Sequence, residues 1–238
     1  ANCGVDIKTK VNKNKCFLTE LKGISHIKAS NINIPGDPST AAFLAVAALL
    51  TKGSHVILEN IYYDEFRLQI FETLKKMGAS IEISKNKALN TCDINARSSK
   101  LKNITIPASF SSSLIDEYPI LSVAASCGLG KMTMQGLEEL KFKESNRLEA
   151  IHKGLISCGV NTKIIKNNTL VIEGKKNIEG GNLIDAKNDH RIAMSFNILS
   201  LVSKKPILVK GNNSILTSFP RFFDILHSIG ANVRSYGK

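Results

Sequence analysis

The chain has 238 residues, 43% of them hydrophobic and 6% aromatic, which excludes a disordered or fibrous polymer and leaves enough length to bury a core. Its longest apolar run, Ala41–Leu50, is far short of the roughly 20 residues that span a bilayer, and no charged-then-apolar leader opens it, so the expected location is cytoplasmic. The 32 Lys and Arg against 20 Asp and Glu give a formal charge of +12, a balance that attracts nucleic acid, a membrane surface or a phosphorylated metabolite, although a Lys-, Asn- and Ile-rich composition accounts for part of it.

From Cys3, "CGVDIKTKVNKNKCFLTE" reads as a helix end, a strand, a polar turn and a second strand. The same pattern returns at Cys158 as "CGVNTKIIKNNTLVIEGK". Residues 1–35 are therefore expected to be the tail of a preceding repeat, with the chain a part of a larger protein. The five cysteines, Cys3, Cys16, Cys92, Cys127 and Cys158, form no C-x-x-C pair and suggest neither a disulfide framework nor a zinc site.

From Gly36 onward the chain repeats itself. Three helices are predicted to open on an aspartate: "GDPSTAAFLAVAALL" at Asp37, "IDEYPILSVAASC" at Asp116 and "NDHRIAMSFNILSLV" at Asp189. They are apolar on nearly every side and rich in Ala and Ser, so they are expected to be buried close together. Each is followed by a strand ("SHVILEN", "KMTMQGL", "PILVKGN") and then by a second helix with one apolar stripe. The second helices end alike, at Gly78, Gly159 and Gly230, with Leu74, Leu155 and Leu226 four residues earlier and Ile70, Ile151 and Phe222 eight earlier. A glycine that can adopt the left-handed conformation suits each helix end, and a strand-like run such as "ASIEI" or "ANVRS" comes next. The predicted fold is an α/β lobe of three βαβαββ-type repeats, about 36–107, 108–180 and 181–238, with pseudo-threefold symmetry, buried helices and outer mixed sheets.

Three buried helices that open at equivalent points bring unpaired N–H groups toward one region, which suits an anionic ligand. Asp37 and Asp189 are candidate helix caps, whereas Asp116, followed by Glu117 and Pro119, is also a candidate site residue. The stretch "LKFKESNRLEAI" (Leu140–Ile151) looks like the start of a charged helix. Aligned on the glycines, Arg147 corresponds to Phe66 and Ser218, and Glu144 to Tyr63 and Ile215, so two sister units do without these charges. A run of this kind is either a solvated helix entrance or a carboxylic acid set among cations for proton transfer to an anionic substrate. In "KNDHRIAM", His190 and Arg191 stand at the mouth of a buried helix, where a guanidinium is shaped for carboxylate or phosphate.

Five ordered stretches, "IPGDPSTAAFLAVAALL", "IDEYPILSVAASC", "LEELKFKESNRLEAI", "NDHRIAMSF" and "TSFPRFFDILHSIGA", resemble the 5-enolpyruvylshikimate-3-phosphate synthase family in its C-terminal portion, and the likeness covers essentially the whole chain. The resemblance implies a transferase of the shikimate pathway, on the route to chorismate and the aromatic amino acids. It would move the enolpyruvyl group of phosphoenolpyruvate to shikimate 3-phosphate without metal or organic cofactor. It implies that Asp116 binds the shikimate hydroxyls and accepts a proton, that Lys143 contacts shikimate 3-phosphate, and that Glu144 protonates the methylene carbon. Arg147 and Arg191 would grip phosphoenolpyruvate, with His190 and Asp189 as further candidates. The implied partners are these two substrates and an N-terminal lobe of the same protein, with no nucleic acid and no membrane, in a full-length monomer. Without that lobe the chain is expected to be inactive.

The stretch departs from the family pattern at Lys141, usually Arg, and at Asn146, usually Asp; Thr217 stands where some members have Lys. A UDP-aminosugar enolpyruvyl transferase is the nearest alternative, but that family lacks the "DEYPILSVAAS" and "KESNRLEA" pattern. An RNA-cyclase-like nucleic-acid module is another, disfavoured because the basic residues are dispersed and not interleaved with stacking aromatics.

Overall fold

The computed structural model describes residues 4–12, 16–21, 23 and 27–234. These fall into two compact units, residues 1–34 and 35–238. The first holds strands β1 (Ile7–Val11) and β2 (Phe17–Leu21), paired antiparallel with Ile7 opposite Leu21. That is the strand–turn–strand pattern expected there; Cys3 and Lys13–Lys15 of the turn lie outside the described residues.

The second unit opens with helix α1 (Pro38–Leu50), whose Ala41–Leu49 segment is entirely buried. Asp37 caps it, the side chain accepting from the Thr40 N–H at 3.0 Å, and Pro38 sits in the first turn, where its missing N–H costs nothing. Strand β3 (His55–Tyr62) follows, then helix α2 (Gln69–Lys76) and the hairpin of β4 (Ser80–Asn86) and β5 (Thr91–Arg97), which form one sheet in the order β3-β5-β4. Gly36 bridges in parallel to Ile61.

Next come the short strand β6 (Thr105–Ile106), a 3-10 turn (Ala108–Phe110), the brief helix α3 (Ser111–Leu114) and the buried helix α4 (Tyr118–Cys127). Strand β7 (Lys131–Met134), helix α5 (Arg147–Ser157) and the hairpin of β8 (Thr162–Ile165) and β9 (Thr169–Glu173) complete a four-stranded sheet, β6-β7-β9-β8, in which only the β6–β7 pair is parallel.

The last portion has four short strands, β10 (Ile178–Gly180), β11 (Leu183–Asp185), β12 (Ser203–Lys205) and β13 (Leu208–Lys210), in two parallel pairs, β10-β12 and β11-β13. Helix α6 (His190–Ser200) is buried from Ile192 to Leu199 and lies beside α4; helix α7 (Phe222–Ser228) follows. α1, α4 and α6 thus form the interior, as their all-round apolar sequences require.

Gly78, Gly159 and Gly230 take φ of +90°, +83° and +94° at the ends of α2, α5 and α7. The apolar stripes face inward: Ile70, Leu74, Ile151, Leu155, Phe222 and Leu226 are buried. The third copy departs from the other two. Ile229 is half exposed where Met77 and Cys158 are buried, and residues 231–234 form no strand. Ser235, the last residue of the expected strand, lies outside the described residues.

One close approach sets the placement of α5. A Cβ on Gly154 would stand 2.2 Å from the ring of buried Phe196, so α5 and α6 meet at a position only glycine permits. Arg147, the first residue of α5, donates to Asp189, the cap of α6, at 2.9 Å, so the two N-termini lie side by side. Among the described residues no helix is long and apolar enough to cross a membrane.

Candidate active site

The N-termini of α1, α4, α5 and α6 meet in one network of charged side chains. At its centre Arg147 is fully buried, which is tolerable for a guanidinium only with partners on every N–H edge. It has three carboxylates: Nε donates to Asp189 Oδ2 at 2.9 Å, Nη1 to Asp116 Oδ1 at 2.8 Å, and Nη2 to Glu144 Oε2 at 2.5 Å. The opposing carboxylates outweigh burial and push the Arg147 pKa up, so the guanidinium stays charged.

Asp189 is fully buried and does double duty, accepting from the Arg191 and Ile192 N–H groups as the cap of α6 and from the Ser145 hydroxyl at 2.9 Å. The capping reading of Asp189 thus holds, and the same side chain is also the buried partner of Arg147. Asp116 is no cap. α4 begins at Tyr118 with Glu117 in the cap position, and Asp116 turns instead toward three cations: Arg147, Lys143 at 3.5 Å and Arg191 at 3.7 Å. Burial pushes its carboxyl up, but the three cations outweigh burial and hold it below its ordinary value of 3.8.

Lys143, Glu144 and Arg147 do not open a helix together. Glu138–Phe142 is a 3-10 turn, Lys143–Asn146 is irregular, and α5 starts at Arg147. Asn146 explains the late start: its side chain caps α5 through the Glu149 N–H at 3.2 Å, a role the amide oxygen fills as a carboxylate would. The irregular stretch leaves Glu144 half exposed while its carboxylate still reaches Arg147. A carboxyl group within reach of solvent, one contact from a fixed cation, is placed to exchange a proton with a bound molecule.

Arg191 and His190 line a concavity of about 270 Å³ between α1 and α6, with Asp37, Ser39, Met194 and Ser218 among its other walls. Burial and the neighbouring Arg191 lower the His190 pKa, so the imidazole is neutral at pH 7 and adds no charge there. Ser218 follows Thr217, whose hydroxyl donates back to the Ser214 carbonyl at 2.8 Å. Among the described residues no group of three or more His, Cys, Asp or Glu is placed to hold a metal ion.

Sequence reasoning missed Ser39 and Arg67. Ser39 Oγ donates to Glu117 Oε1 at 2.5 Å, and Arg67 donates to Asp37 at 2.5 Å and to Ser39 Oγ at 3.1 Å. Ser39 lies within the "GDPST" stretch and Arg67 in none of those quoted, but the pairings of Ser39 with Glu117 and Arg67 span 78 and 28 residues, which no spacing rule connects.

The fold and this cluster define one class of protein: an α/β lobe whose buried helices bring fixed cations and carboxylates together at one end. The solved structure of EPSP synthase from Acinetobacter baumannii superposes with a TM-score of 0.87 at 33% identity, over 98% of this chain and 53% of that one. The pattern of the EPSP synthase (3-phosphoshikimate 1-carboxyvinyltransferase) family matches residues 1–226, and the chain belongs to that family. Curated relatives named 3-phosphoshikimate 1-carboxyvinyltransferase include those of Chelativorans sp. (strain BNC1), 40% identical, and Bartonella quintana (strain Toulouse), 39% identical, each aligned over 97% of this chain. The chain spans about half the length of these relatives, 52% and 53% respectively.

Proposed function

We propose that this chain is the C-terminal portion of a 3-phosphoshikimate 1-carboxyvinyltransferase, with residues 36–238 forming one lobe and residues 1–35 the tail of the lobe before it. The substrates are phosphoenolpyruvate and shikimate 3-phosphate, the setting is cytoplasmic, and no metal or cofactor takes part. The observation that carries this reading is Asp116 held among Lys143, Arg147 and Arg191, with Glu144 half exposed beside them.

In the free chain those cations keep Asp116 ionised and weakly basic. Two anionic substrates arriving at the same cations offset their field, which raises the basicity of Asp116. It then takes the proton of the attacking shikimate hydroxyl as the new C–O bond forms. Glu144 delivers a proton to the methylene carbon, giving a tetrahedral intermediate. Return of a methyl proton and cleavage of the C–O bond to phosphate complete the transfer. Arg191, on the wall of the concavity, and Lys143 are the cations an incoming anion meets first. Arg147 is engaged by three carboxylates, and the half-exposed Glu144 is the one an anion can displace.

The test is phosphate release from the two substrates by the polypeptide restored to the length of its relatives. Glu144→Ala and Asp116→Ala are each expected to lower kcat by about 10²–10⁴-fold, the usual worth of a positioned acid or base. Residues 1–238 alone are expected to show no turnover. Normal turnover by Glu144→Ala, or by the isolated chain, refutes the assignment.

A further inference from the structure

The buried charge that the proposed chemistry leaves unused is Glu117. It is 7% exposed, stands between the N-termini of α1 and α6, and touches neither Glu144 nor Lys143. Its Oε1 accepts the Ser39 hydroxyl at 2.5 Å and faces Arg191 Nη1 at 3.5 Å. The same Nη1 donates to the Asp116 backbone carbonyl at 2.9 Å. Ser39 is itself only 3% exposed and is braced by Arg67, which also grips Asp37. A continuous chain of contacts thus runs Arg67, Ser39, Glu117, Arg191, and each link joins different helices or loops.

We propose that Glu117 is a positioning residue that, anchored by Ser39, fixes the Arg191 guanidinium on the wall of the concavity for binding of a small phosphorylated or carboxylate anion. The physical case rests on direction. Two acceptors, the Asp116 carbonyl and Glu117, lie on the Nη1 side, and Asp116 Oδ2 stands 3.7 Å from Nη2. These contacts oppose a swing of the guanidinium away from the concavity, and a planar fork held in one orientation loses less entropy when an anion binds. Glu117 also opposes an incoming anion electrostatically. If that repulsion were the larger effect, neutralising Glu117 would strengthen anion binding, so the two effects predict opposite signs.

The identity of the anion, phosphoenolpyruvate, rests on the proposed function; the positioning role does not. Binding of phosphoenolpyruvate, shikimate 3-phosphate and inorganic phosphate is measured by titration calorimetry on the full-length polypeptide and its Glu117→Gln and Ser39→Ala variants, together with melting temperatures. Gln keeps the size and the acceptor for Ser39 but removes the charge; Ala at position 39 keeps the charge and removes the anchor. Each variant is expected to weaken phosphoenolpyruvate binding about three- to tenfold, the scale of one ordinary net hydrogen bond, and to leave shikimate 3-phosphate binding within about twofold of the parent. Binding of phosphoenolpyruvate that is unchanged or tighter in Glu117→Gln overturns the proposal. So does parallel loss of both substrates with a lowered melting temperature, which marks a general structural defect. Wild-type protein that binds inorganic phosphate in a Glu117-dependent manner but releases no phosphate from the two substrates leaves the positioning role standing and removes the proposed reaction; wild-type protein that binds none of the three anions overturns the positioning role.

Discussion

Replacing Asp189 with Ala strikes the one carboxylate that is as deeply buried as Arg147. Removing one member of a buried ion pair costs about 3–5 kcal/mol, and the lower end applies because Asp116 and Glu144 remain on the other two edges of the guanidinium. The α6 cap is lost as well, worth about 1 kcal/mol. The expected total is about 4 kcal/mol, which at a urea m-value of roughly 2.5 kcal/mol/M moves the unfolding midpoint down by about 1.6 M. Glu144→Gln is the control: its partner is the same arginine but its carboxylate is half exposed, and exposed pairs contribute about 0–1 kcal/mol. Urea unfolding followed by circular dichroism reads both variants. A shift below about 0.5 M for Asp189→Ala, the scale of the cap alone, refutes the claim that Asp189 is the principal counter-charge of Arg147.

Gly154→Ala is expected to destabilise by up to about 2 kcal/mol, because overpacking against Phe196, about 1–3 kcal/mol, outweighs the roughly 1 kcal/mol of helix propensity that Ala supplies; a raised melting temperature would show that α5 can withdraw from α6. At the α5 cap, Asn146→Ala should cost about 1 kcal/mol and Asn146→Asp should be neutral or slightly stabilising, as measured by denaturation. Asp116 supplies a pH signature. Its folded pKa is depressed, so its contribution to stability is fully present above about pH 4, the unfolded value, and declines as pH falls through the lower folded value. The urea midpoint of Asp116→Asn should therefore fall less steeply below pH 4 than that of the parent, and parallel acid limbs would show that the three cations do not act on this carboxylate.

Much of the architecture was legible because it follows from local or periodic rules. The glycines at 78, 159 and 230 end helices through their own backbone freedom, the apolar stripes ahead of them bury one face, and Asp37 and Asp189 cap the turns they precede. The charges around Arg147 stood out because sister repeats lack them. What the sequence could not convey is partnership across the chain. Arg147 meets Asp116 and Asp189 over 31 and 42 residues, and Ser39 meets Glu117 over 78, separations that no spacing rule connects. Local chemistry also misled at Leu140–Asn146, where charged residues suited to a helix instead form a 3-10 turn and an irregular stretch because Asn146 caps α5 only afterward. The residue types and repeat were determined by sequence alone. Which carboxylate faces which cation was decided by the tertiary structure, because a buried guanidinium takes whatever acceptors the packing of neighbouring helix ends brings within about 3 Å.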